Sequence, residues 1–148
     1  MANTITPYMT SAEVRDVVQR LESCDFGPGE FHHTHHLTVA LCYLLDSSEE
    51  DAIALMRTSL LRFLKHCGSP AAYHETITVF WIKRVRHLLD QADKSRPLAE
   101  LANGVIAECR DVRLINIYFR AEQLASEEAR SRWVEPDLKP LESFSSRN

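Results

Sequence analysis

The sequence predicts an all-α fold, a single domain over residues 1–148 built as one compact bundle of about six or seven helices. Three observations predict it. Apolar residues recur at i, i+3, i+4 and i+7 through most of the chain, the period of a helix with one face turned to a core. Ser or Thr followed three residues later by an acid, a helix-start signature, stands ahead of two of those stretches. With 45% hydrophobic residues and two Trp in 148 residues, the chain can close one sizeable core and has no room for a second.

Thr10-Ser11-Ala12-Glu13 is a capping box, so the first helix is predicted over Ser11 to Ser23, with Val14, Val17, Val18 and Leu21 on its apolar face. Gly27-Pro28-Gly29 then turns the chain. The second helix is predicted over about His33 to Leu45, where His33, His36, Leu37, Ala40, Leu41 and Leu44 share one buried face. Asp46-Ser47-Ser48 breaks it, and Ser47 with Glu50 opens a third helix, Ser48 to His66, with Ile53, Leu55, Met56, Ser59, Leu60, Phe63 and Leu64 inward. Gly68 offers a left-handed cap, after which Ser69 and Pro70 start a fourth helix reaching about Gln91. His74, Ile77, Thr78, Trp81, Val85 and Leu88 fall on one face of it.

Pro97 opens the fifth helix, which carries Leu98, Leu101, Val105 and Ile106 and ends near Cys109. Leu114 to Phe119 has the composition of a buried strand, but a lone strand in a helical chain has no partner, so it is read as a sixth helix. Ser126 caps a short last helix through Trp133, and the polar tail Glu142 to Asn148 is expected to fray. Phe80, Trp81 and Trp133 read as core, and His87 as solvated.

A net charge of −4 and a pI near 6.0, with basic residues interleaved among acids, exclude a basic stripe for nucleic acid. The first ten residues carry neither a basic patch nor an apolar leader, and no apolar run reaches ~18 residues, so a soluble, cytoplasmic protein with no membrane partner is expected. Cys24, Cys42, Cys67 and Cys109 form no C-x-x-C pair and read as reduced, mostly buried thiols.

The chemistry concentrates in Phe31-His32-His33-Thr34-His35-His36-Leu37 and in Tyr73-His74-Glu75-Thr76-Ile77-Thr78. Short loops between the second, third and fourth helices favour antiparallel neighbours, which places the histidine-bearing ends of the second and fourth helices together. At 1.5 Å per residue, His33, His36 and His74 lie at ~20, ~15 and ~21 Å along the bundle, one level at which three inward imidazoles can cage a metal ion. Glu75 is then the acid/base candidate, a further ligand, or an acceptor for the N–H of a ligating imidazole. His32, His66, Tyr73 and Thr78 are candidates for a surrounding shell; His66 also suits the negative end of the third helix. His32 and His35, off the inner face, read as partly exposed polar residues ahead of any part in the cage.

Phe31, His33, His36, Leu37, Ala40, Tyr43 and Leu44, with Tyr73 to Thr78 and Trp81, resemble the paired motifs of a family of small, largely uncharacterised bacterial proteins: F-x-H-x-x-H-L then A-x-x-Y-L, and Y-H-E-T-I-T then an aromatic. Leu124 to Arg130 and Trp133 to Leu138 are similar to that family's C-terminal L-x-S-x-x-A-R and V-x-P-D pattern, so the resemblance spans about Phe31 to Leu138. It implies an all-helical domain with His33, His36, His74 and Glu75 at motif positions, and no particular reaction. Asn116-Ile117-Tyr118-Phe119 departs from the family's Y-Y pair, which puts a role for Tyr118 in doubt.

Two functions are therefore expected. One is a small metalloprotein, a metal-dependent enzyme acting on a small-molecule substrate through one transition-metal ion, Zn, Cu or Fe, held by His33, His36 and His74 with Glu75 moving protons. The other is a non-catalytic helical interaction module whose His/Glu cluster is a structural hydrogen-bond network.

Overall fold

Every regular element among the described residues of the computed structural model, 7–141 and 144, is helical. The order is α1 (Ser11–Glu22), α2 (His33–Asp46), α3 (Glu49–His66), α4 (Glu75–Asp90), α5 (Leu98–Cys109), α6 (Ala121–Leu124) and α7 (Glu127–Ser131), with 3₁₀ turns at Pro70–Ala72 and Val112–Ile117. The all-α prediction holds, and no helix is long and apolar enough to cross a membrane among the described residues.

α1 begins at the predicted capping box: the Glu13 N–H donates to Thr10 Oγ1 at 3.2 Å and Glu13 Oε1 accepts from the Thr10 N–H at 2.9 Å. It buries Val14, Val17 and Leu21. α2 buries eight consecutive residues, Leu37 to Leu44, and packs against α1, α3, α4 and α5. It is therefore a central helix covered on all sides, not one with a single inner face.

Ser48, one residue later than predicted, caps α3 by accepting from the Asp51 N–H at 3.1 Å, while the Ser47 hydroxyl donates back to the Tyr43 carbonyl at 2.6 Å. Gly68, at φ +79°, ends α3 as predicted: its N–H donates to the Lys65 carbonyl and the Ser69 N–H to the Leu64 carbonyl, the paired bonds of a left-handed helix stop. Leu55, expected inward, is 44% exposed.

The largest departures follow. Ser69 and Pro70 start only the short 3₁₀ turn, the chain extends through Tyr73 and His74, and α4 begins at Glu75. The predicted sixth helix is a 3₁₀ turn, Val112–Ile117, which buries Ile115, and Tyr118 and Phe119 are buried just after it. The final helix stops at Ser131 rather than Trp133. The next segment lies back across the bundle, with Thr76 Oγ1 donating to the Arg132 carbonyl at 2.8 Å and accepting from the Val134 N–H at 3.3 Å.

The core draws on every helix except α6. Phe80 and Trp81 are buried and Trp133 is partly buried against the core, as predicted. His87 is half-buried, its ring 5.7 Å from that of Phe144 and bonded to Gln91, and so is not a solvated side chain. The tail whose fraying was expected lies outside the described residues apart from Phe144, which is buried beside Phe80 and Tyr118. The four cysteines are free, Cys42 and Cys109 buried.

Candidate functional site

The residues of the first motif stand at the start of α2 and those of the second at the start of α4, and each set bonds to a different neighbour. His33 opens α2 and stands edge-on to Trp81 of α4, ring centroids 4.5 Å apart. Its Nε2 lies 2.9 Å from the carbonyl of Cys109, the last residue of α5. A carbonyl only accepts, so Nε2 carries the proton and Nδ1 is left unprotonated. Burial pushes the His33 pKa below its ordinary value, partly offset by that bond.

His74 is not one turn inside the fourth helix. It is the residue before α4, its Nδ1 accepting the Ile77 N–H at 3.2 Å as an N-cap. Its Nε2 reaches the carbonyl of Leu124, the last residue of α6, at 2.6 Å. Both ring nitrogens are committed, one in each role of a neutral imidazole. Thr78 closes the same turn by donating to the His74 carbonyl at 2.8 Å.

His36 differs. Its Nε2 is shut from solvent with no hydrogen-bond partner among the described residues, and burial, with a smaller contribution from His33, pulls its pKa to about 4. His35 is the residue that sequence reasoning undervalued. Its Nδ1 accepts the His32 N–H at 2.9 Å, and its ring packs 4.9 Å from Phe26 and 5.8 Å from Phe31. An aromatic before the helix and another in the preceding turn were the available signal for that packing. His32 is exposed and stacked on His35, and His66 sits exposed in the last turn of α3, where the helix dipole suits it.

Glu75, the first residue of α4, is 7% exposed and filled by donors. Arg57 of α3 grips it with both arms, Nε to Oε1 at 3.0 Å and an Nη to Oε2 at 2.6 Å, and the Tyr73 hydroxyl donates to Oε1 at 2.5 Å. Burial alone would raise the carboxyl's pKa, but these bonds outweigh it and hold it below its ordinary value. Such a carboxylate is a poor base, since its lone pairs are occupied and its charged form is favoured.

Among the described residues no three or more His, Cys, Asp or Glu side chains are grouped so as to hold a metal ion. The arrangement links helices: His33 joins α2 to α5, His74 joins α4 to α6, and Glu75 joins α4 to α3. No family model, characterised protein or solved structure matches the chain.

The half-buried His36, whose Nε2 is shut from solvent, sets a pH dependence. Its folded-state pKa of about 4 lies below the ordinary 6.5, so the unfolded chain takes up a proton that the folded one refuses. Stability is fully present above the ordinary value and declines as pH falls from there toward about 4, by up to ~3 kcal/mol. Urea unfolding at pH 7 and pH 5 measures it. His36→Leu removes the unpartnered nitrogen and should flatten this acid limb; an unchanged slope in that variant would contradict the assignment.

Proposed function

We propose that the His/Glu cluster is a structural network and that the chain is a non-catalytic helical interaction module. The observation that supports this best is the double commitment of His74, whose Nδ1 caps α4 while its Nε2 holds the end of α6. His33 and Glu75 fit the same reading, since each uses its polar atoms to tie one helix to another. The test is elemental analysis of protein purified without a His-tag, together with melting in the presence and absence of chelator. Metal-free protein with a chelator-indifferent melting temperature is expected. About one transition-metal ion per chain, with a melting temperature that falls on chelation, would overturn it.

A second reading, the metalloprotein, is favoured by one specific observation. His36 Nε2 has no partner, and His33 donates from Nε2 to a backbone carbonyl, the bond by which ligating histidines commonly free and orient the other nitrogen. On this reading His33 and His36 hold the Zn, Cu or Fe ion for a small-molecule substrate. His74 joins only by giving up its bonds to Ile77 and Leu124, and Glu75 moves protons only if Arg57 releases it. Its signature is metal affinity that declines below about pH 6.5, where imidazoles protonate, and that His33→Ala and His36→Ala each weaken.

A further inference from the structure

The outward face of α3 carries exposed leucines among its charged residues. Leu55 and Leu61 are 44% and 38% exposed, and the small residues Ala54 and Thr58 lie exposed between and beside them. At about 100° per residue these four share one side of the helix, and small side chains at its centre let another helix approach to about 8–10 Å. Charge is polarised along the same helix: Glu49, Glu50 and Asp51 occupy the first turn, and Lys65 and His66 the last.

We propose that this face is a self-association surface, in which α3 packs antiparallel on α3 of a second copy about a two-fold axis at Thr58. Three and seven residues either side of Thr58 carry complementary groups. Leu55 comes level with Leu61 of the second copy, and Asp51 with Lys65 of the second copy. The axis repeats both pairings, which is what a self-complementary two-fold interface requires. A parallel arrangement would instead set acid against acid and base against base. Beside Leu55 an open cavity of about 580 Å³, lined by Asp51, Leu55, Thr58 and Arg62 of α3 together with Glu22 and Ser47, leaves space for the Leu61 side chain of the second copy. The side chains that carry it, Asp51, Leu55, Thr58, Leu61 and Lys65, are not those that bond the His/Glu cluster, so it holds or fails independently of the function proposed above.

The experiment is sedimentation equilibrium of the full chain over a concentration series, with circular dichroism to confirm that each variant folds. Wild type is expected to show a monomer–dimer equilibrium, and Leu61→Glu to weaken it at least about tenfold. Asp51→Lys and Lys65→Asp should each weaken association alone, because like charges then meet at both ends of the interface. Mixing the two variants in equal amounts should restore it, because opposite charges then meet at both ends. Thr58→Arg, at the axis, serves if Leu61→Glu fails to fold. A wild-type protein that stays monomeric, a dimer indifferent to both Leu61→Glu and Thr58→Arg, or a mixture no more associated than its components would overturn the proposal.

Discussion

Replacing Arg57 with Met is expected to destabilise the protein by about 3 kcal/mol at neutral pH, more than replacing its partner Glu75 with Gln. The asymmetry follows from where each charge sits. The Glu75 side chain is 10% exposed and that of Arg57 is 42% exposed. Removing the guanidinium strands a carboxylate that water scarcely reaches, with the Tyr73 hydroxyl and the N-terminus of α4 as its remaining support. Removing the carboxylate strands a guanidinium that can turn to solvent, and Gln still accepts one bond, so Glu75→Gln should cost only ~1 kcal/mol.

The pH dependence separates the two variants as well. In the wild type the Glu75 pKa lies below its ordinary 4.5, so its stabilisation is present above that value and fades as pH falls through the folded-state pKa. Without Arg57, burial dominates and the carboxyl rises above its ordinary value. The Arg57→Met deficit should therefore shrink as pH falls from neutral. Urea midpoints at pH 7 and pH 5 measure both effects, and a variant as stable as wild type at pH 7 would show that the pair is not held as described.

Where a helix start or stop was written in neighbouring residues, the sequence disclosed it. Thr10 with Glu13, Ser126 ahead of α7 and Gly68 after α3 each act through atoms within a few positions of themselves. The start of α4 was misread because two signals compete there, and Ser69-Pro70 is the stronger by composition while His74 is outside the usual capping set. Leu55 was misplaced because its position on the helix circumference lies near the boundary of the inner face, and only the packing of α1, α2 and α4 decides which side is covered. The bonding of the histidines was illegible for a different reason. Their acceptors are backbone carbonyls 76 and 50 residues along the chain, and a carbonyl leaves no mark in a sequence. The same holds for Tyr8, whose backbone is paired with the Asn103 amide and whose hydroxyl meets Thr38. Residue types thus disclosed which side chains carry the polar chemistry, while their use depended on partners that only folding supplies.

His74→Ala is expected to cost about 3 kcal/mol, the sum of a lost N-cap at ~1 kcal/mol and a part-buried Leu124 carbonyl left without its donor at ~2 kcal/mol. His74→Asn divides that sum. Asn is among the best N-caps, so the bond to the Ile77 N–H survives, but its shorter side chain does not extend to Leu124. The Asn variant should therefore recover ~1 kcal/mol of the Ala deficit. Hydrogen exchange locates the parts: the Ile77 amide should lose protection in the Ala variant and keep it in the Asn variant, while amides of the α6–α7 segment open in both. The pair also divides the two functional readings. A clasp is partly restored by any side chain that caps, whereas a metal ligand is lost equally in Asn and Ala. Equal stability of the two variants, with α4 opening to the same extent in both, would remove the cap from His74's role and return its imidazole to the metal reading.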